Sequence, residues 1–315
     1  MESNVSGIHH ITAITDDPQH NIDFYAGVLG LRLVKKTVNF DVPDTYHFYY
    51  GDDLGHPGTI LTFFSWPGYP KGRRGSGQAT TISFAIPESA LSYWQERLRA
   101  HGVEVGELTT QFGEQVLSFS DPEGLGLALI VQQGAEQRTG WTKGMIPGEY
   151  AIRGFHSVTL SITKLEATQN VLTKLLGFHV AGEEGNRTRY EVGNSGNATL
   201  VDVLTVPGTR RGVESIGTVH HVAWRTANDD EQLEWRHKIT DAGLSVTPVL
   251  DRTYFHSIYF REPGGVLFEI ATDLPGFAID EVPEELGTHL KLPPWLEQQR
   301  PTLEHDLPPV SIPGV

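Results

Sequence analysis

The chain has 315 residues and a net charge of −15 from 24 basic and 39 acidic side chains, with no cysteine. That balance argues against a nucleic-acid partner, whose binders carry a basic excess or stripe, and the missing cysteine excludes disulfides, thiolate metal sites and a cysteine nucleophile. No apolar run approaches the roughly 18 residues of a membrane span, and MESNVSGIHH lacks the basic and apolar regions of a secretory signal, so a cytoplasmic location without a membrane partner is expected.

In chain order, the first strand-like stretch is GIHHITAI (7–14), followed by a helical segment that opens at Asp17-Pro18 and is closed by Gly30. The basic KGRRGSGQ (71–78) lacks the GK[ST] ending of a phosphate loop and reads as a connection between modules. QATTISFAI (78–86) is again strand-like, and after Pro87 a helix with Leu91, Trp94 and Leu98 on one face ends at Gly102. The polar, glycine-rich stretch 132–150 reads as a linker. GFHSVTLSI (154–162) precedes a helix over about 164–176 closed by Gly177, and GTVHHVAW (217–224) precedes one over about 228–242 closed by Gly243. DPEGLGLAL (121–129) and EPGGVLFEI (262–270) share a turn followed by an apolar strand.

The intervals between these features agree. His10 to Gly30, Thr81 to Gly102, Ser157 to Gly177 and His221 to Gly243 span 20, 21, 20 and 22 positions. An α+β chain of four βαβββ modules is therefore expected. The expected organisation is an N-terminal domain of modules one and two (1–131), a linker (132–153), a C-terminal domain of modules three and four (154–272) and an extended tail (273–315). Leu290 and Trp295 are expected either to anchor the tail over the C-terminal half or to contribute to a homo-oligomer contact.

The repeat serves as an internal control. Where module one has His10, its siblings carry Thr81, Ser157 and His221. On the last strand module four has Glu269 where module two has Ala128, module one offers no carboxylate, and Asp202 of module three reads as out of register. Two imidazoles and one carboxylate form a ligand set suited to Fe(II), with Mn(II) as the alternative. Without a cation, Glu269 in mid-strand between apolar neighbours calls for a buried arginine. On a regular strand His9 and His220 point away from their neighbours His10 and His221, unless a bulge turns them. His47, His56, His101, His237 and His256 have no ligand-spaced partner and read as surface or core residues.

The four modules resemble the vicinal-oxygen-chelate superfamily, in which module pairs form half-open mixed β-barrels around a metal cavity. More closely, GIHHITAITDD, YHFYYGDDLGHPGT, KGRRGSGQ, GFHS, EEGNRTRYEV, IGTVHHVAW and DRTYFHSIYFREPGGVLFEIATD resemble the hydroquinone ring-cleaving dioxygenases, which include the hydroquinone 1,2-dioxygenases and MhqO-type proteins. The resemblance implies an Fe(II) dioxygenase that opens a small aromatic diol with O2, with His10, His221 and Glu269 on the metal. It further implies that Arg252 and Tyr259 position and protonate the substrate, and that Thr12, His9 and His220 shape the pocket. Two other activities remain open. One is a glyoxalase-type lyase or isomerase, although such sites take two ligands from each module and module one supplies only His10. The other is a non-catalytic binder of aromatic drugs, a class of shorter chains.

Overall fold

The computed structural model describes residues 4–193 and 198–314. Four βαβββ modules are present. Module one holds β1 (Ile8–Thr15), α1 (Pro18–Ile22), β2 (Arg32–Val38), β3 (Tyr46–Gly51) and β4 (Ile60–Ser65). Module two holds β5 (Gln78–Ile86), α2 (Leu91–Ala100), β6 (Val105–Gln111), β7 (Glu114–Ser120) and β8 (Gly126–Val131). Module three has β9 (Phe155–Ile162), α3 (Leu165–Asn170), β10 (His179–Glu184), β11 (Arg187–Glu191) and β12 (Leu200–Thr205). Module four has β13 (Val219–Thr226), α4 (Asp229–Asp241), β14 (Leu250–Asp251), β15 (Phe255–Arg261) and β16 (Leu267–Pro275).

The helix boundaries follow their local chemistry. Asp17 caps α1 by accepting from the backbone N–H of Gln19 and His20 at 2.8 and 3.0 Å, and Pro18 occupies the first turn. In modules one and three the α-helix widens into a π-turn over Asp23–Val28 and Val171–Leu175. Among the described residues no helix is long and apolar enough to cross a membrane.

The strands form two mixed eight-stranded sheets, ordered β14-β15-β16-β13-β1-β4-β3-β2 and β10-β11-β12-β9-β5-β8-β7-β6. Each is centred on an antiparallel pair, β1 with β13 and β5 with β9. The modules therefore pair one with four and two with three, whereas the expected domains join neighbours in sequence. The connections explain the difference. The segments 66–77 and 206–218 cross between the sheets and hold each other through bridges at Lys71↔Ile216, Arg73↔Val213 and Ser76↔Arg211. Their contact is so close that a Cβ on Gly75 would stand 2.4 Å from the carbonyl oxygen of Arg210. KGRRGSGQ is the inter-module connection its composition suggests.

The central strands β1 and β9 are buried at every position. One apolar cluster joins all four modules and includes Ile11, Ile82, Val158 and Val222, all without exposure. Each such side chain contributes roughly 1.5–3 kcal/mol of burial.

The tail departs from expectation in two ways. It is not simply extended, because GluGlnGln at 297–299 leads into α5 (Arg300–Asp306), with Pro301 in the first turn where no amide donor is needed. It also packs mainly over module one, and only its start reaches the C-terminal half, where Phe277 and Asp280 meet Tyr254 of module four. Leu290 bridges Lys36, Trp295 meets Phe40 edge-on at 5.7 Å, and Tyr46 Oη donates to the Pro308 carbonyl at 2.9 Å. The fully buried Lys35 of β2 draws it there by pairing with Asp280 at 2.6 Å and with Glu281, since a buried ammonium requires a partner.

Candidate metal centre

In the β1–β13 ladder His10 lies opposite Ala223 and Thr12 opposite His221, so His10 and His221 occupy equivalent places about a local two-fold axis. The parallel ladder of β13 with β16 puts Glu269 beside Ala223. Three ligand atoms thereby meet: His221 Nε2 stands 2.8 Å and His10 Nε2 3.3 Å from Glu269 Oε2, and the two Nε2 atoms are 3.2 Å apart. All three side chains are buried.

The ladder breaks register between Ile8 and His10 and between Thr12 and Ala13, so His9 and His220 each sit in a β-bulge. These bulges turn the leading histidines toward their neighbours. His9 Nδ1 lies 2.9 Å from His10 Nδ1, and His220 Nδ1 lies 2.7 Å from His221 Nδ1. With His10 and His221 donating from Nδ1, both Nε2 lone pairs face Glu269. Burial lowers His221, against the opposing pull of Glu269; burial also lowers His220, to about 3. His9 and His220 thus touch the rings of His10 and His221 and not the cleft, and they hold those rings in place by hydrogen bonding.

Glu269 Oε1 accepts from Ser257 Oγ at 2.5 Å, whereas the buried Oε2 has no hydrogen-bond donor. Two neutral imidazole lone pairs and a carboxylate oxygen directed at one point repel one another unless a cation lies between them. The donor set therefore suits a divalent first-row metal.

The second sheet makes the same point by contrast. Its β9–β12 ladder sets Asp202 beside Thr159, as β13–β16 sets Glu269 beside Ala223. Asp202 is therefore in register, contrary to expectation. There Arg189 takes the carboxylate through Nε and Nη2 at 2.7 and 3.1 Å and also holds Glu114 at 2.6 Å. A guanidinium neutralises the carboxylate in one sheet. In the other, among the described residues, no arginine or lysine reaches Glu269.

The centre opens into a narrow cleft, about 340 Å³ including open solvent, lined by Thr12, Phe40, Phe64, Arg252, Phe255 and Tyr259 among others. Thr12 faces it beside His10, as the period of two requires. Tyr259 lies opposite Glu269 on the neighbouring strand, its ring 5.5 Å from that of His221. Burial and the charge of Glu269 raise the Tyr259 phenol, partly offset by Arg252. Arg252 projects from the β14–β15 turn and contacts Asp41 at 3.1 Å.

His47 and Tyr49 also line the cleft, contrary to the expectation for His47. Tyr49 Oη bonds His47 Nδ1 at 3.0 Å, His47 Nε2 bonds Thr62 Oγ1 at 2.9 Å, and Thr62 bonds Thr12 at 2.8 Å. The module alignment carries the signal for this group. Tyr49 lies opposite Thr62 as Tyr259 lies opposite Glu269, so Thr62 holds the place a fourth ligand would take.

Two other features carry less. Asp52, Asp53 and His56 also cluster, but Asp52 is committed to the backbone N–H of Gly55 and His56 at 2.9 Å each and to the His56 ring at 2.7 Å, which accounts for it as a loop cap. A larger surface groove, lined by Phe24, His101 and Phe119, encloses about 1540 Å³ including open solvent. No group of metal-ligating atoms converges there among the described residues.

The Glyoxalase/Bleomycin resistance protein/Dioxygenase superfamily matches residues 7–129 and 154–270. The chain is 46% identical over 313 residues to the Bacillus subtilis protein named "Putative ring-cleaving dioxygenase MhqO", covering 99% of each. It is 40% identical over 306 residues to the chlorohydroquinone/hydroquinone 1,2-dioxygenase of Sphingobium indicum, covering 94% of each. A Bacillus subtilis crystal structure, described as a "putative dioxygenase", superposes with a TM-score of 0.95 at 44% identity over 99% of this chain and all of that one. Glyoxalase I from Zea mays shares the fold at 16% identity, with a TM-score of 0.64 over 85% of this chain and 92% of its own.

Proposed function

Because the chain belongs to the Glyoxalase/Bleomycin resistance protein/Dioxygenase superfamily, and near-full-length relatives bear ring-cleaving names, we propose that it is a metal-dependent ring-cleaving dioxygenase. Its substrate in this reading is a hydroquinone-type diol with O2, and its metal is Fe(II), or Mn(II) in its place. The observation that carries the reading is the convergence of His10, His221 and Glu269 around the donorless Glu269 Oε2.

Bound Fe(II) supplies the electron exchange that lets ground-state O2 react with a singlet aromatic ring. His10, His221 and Glu269 would hold it as a two-histidine, one-carboxylate set, leaving positions open toward the cleft. His9 and His220 fix the tautomers of the two ligating rings. Phe64 and Phe255 line the cleft and offer apolar faces to a substrate ring. Arg252 offers a guanidinium to a phenolate oxygen, and Tyr259 offers a hydroxyl donor beside His221. Thr12 presents its hydroxyl at the end of the chain through Thr62, His47 and Tyr49.

A glyoxalase-type proton transfer would favour a fourth ligand at Thr62, and a hydroxyl stands there. A non-catalytic binder has no need of three converging ligand atoms. The test is anaerobic loading with Fe(II), then addition of a hydroquinone panel with O2 uptake followed. Uptake stoichiometric with ring-opened product is expected. No uptake, with a working positive control, would refute the reading. Glu269→Gln should weaken metal retention at least a hundredfold and abolish turnover, because it removes the one anionic ligand.

A further inference from the structure

The mouth of the cleft bears on substrate choice, and the inference rests on the ring-cleavage reading. Beyond β2 the chain turns at Asn39, Phe40 and Asp41, where the Asp41 N–H donates to Asn39 Oδ1 at 3.0 Å. Phe40 holds this turn against Trp295 of the tail. It faces the β14–β15 turn of module four, where Thr253 has a φ of +68° and its N–H donates to Asp251 Oδ1 at 2.6 Å, fixing the backbone next to Arg252. The two turns meet at a single ion pair, Arg252 Nη2 to Asp41 Oδ2 at 3.1 Å. The Arg252 side chain is 19% exposed and that of Asp41 is 70% exposed. Both line the cleft, and Arg252 is the only lysine or arginine among the described lining residues.

We propose that Asp41 is a specificity-determining residue which, by offsetting the charge of Arg252, sets the cleft to accept dihydroxybenzenes without a ring carboxylate and to reject those that bear one. A carboxylated ring brings a second negative charge into a cleft backed by Glu269 and edged by Asp41. At Arg252 it can use only the N–H groups that Asp41 leaves free, and it then sits within a few ångströms of the Asp41 carboxylate. A halogen, methyl or hydroxyl substituent meets no such repulsion. After screening at this half-exposed position, the penalty is roughly one order of magnitude in affinity.

Hydroquinone and 2,5-dihydroxybenzoate share a ring and two hydroxyls and differ by one carboxylate. Both are titrated into the anaerobic, Fe(II)-loaded protein, with intrinsic fluorescence quenching as the readout, so that binding is read apart from turnover. The wild type is expected to prefer hydroquinone. Asp41→Asn should lower the ratio of the two Kd values about tenfold, and Asp41→Glu should restore it. Raising the salt should shrink the preference in the wild type and not in Asp41→Asn. Equal affinities in the wild type, or a ratio unmoved by Asp41→Asn, would overturn the proposal. Hydroquinone binding with an unmoved ratio removes the selector alone. Failure of the wild type to bind either ring removes both the selector and the ring-cleavage reading.

Discussion

At the scale of single residues, the centre depends on tautomers as much as on ligands. His10 and His221 present Nε2 inward because each Nδ1 is held by the histidine before it, in a bulge. His9→Ala or His220→Ala should therefore weaken metal binding about 10- to 100-fold while leaving the fold intact. Competition with a chromophoric chelator measures this, and unchanged affinity would show the bulge histidines to be mere packing. The three converging side chains are legible in the sequence, because the repeat sets His10 against His221 and isolates Glu269. His47 is not. Every residue of Tyr46–Gly51 is buried and five of the six are aromatic or histidine, on both faces, so no contrast of apolar and polar marks the side facing the cleft. Asp202 is legible only through its flanks. Val201 and Val203 are fully buried in the core, which turns the carboxylate between them to the other face.

Among the elements, the helices and their glycine stops follow from sequence because capping and αL geometry are local. Gly30, Gly102, Gly177 and Gly243 all have φ between +68° and +84°. The tail is different, since its place depends on distant partners. Lys35 lies in the middle of β2, and among the described residues its anionic partners are Asp280 and Glu281 alone. Lys35→Ala leaves Glu281 buried and unpaired and should cost about 3–5 kcal/mol. Lys35 and Glu281 replaced together by Met and Leu should cost much less. Chemical denaturation of both variants checks this, and equal losses would mean that the stem of Lys35, not its charge, holds the tail.

For the whole molecule, module count and fold class can be read from the periodic spacing, but the pairing of the modules cannot be read from it. Each module exposes the same kind of central strand, so spacing alone does not choose a partner. The structure does choose one: His10 in module one and Glu269 in module four meet because those modules share a sheet. The halves of the chain are thus interdependent. Residues 1–140 alone carry β1 and β5 with neither central partner, and should aggregate or remain incompletely folded. Co-expressed with 141–315 they should recover the native circular dichroism and one metal per complex. A soluble, cooperatively melting 1–140 fragment would contradict the pairing.

The nested order of those pairs also has a meaning in time. Thr80 and Thr159, which join β5 to β9, are 79 positions apart, whereas His10 and His221 are 211 apart. A ribosome releases the first pair well before the second, by an interval on the order of ten seconds at ordinary elongation rates. The sheet without a metal centre can close while the sheet with one still waits, its first strand emerged and its partner not yet made. Metal capture by His10, His221 and Glu269 would then be a late event of synthesis, since the nascent chain cannot bring the three side chains together until nearly all of it exists.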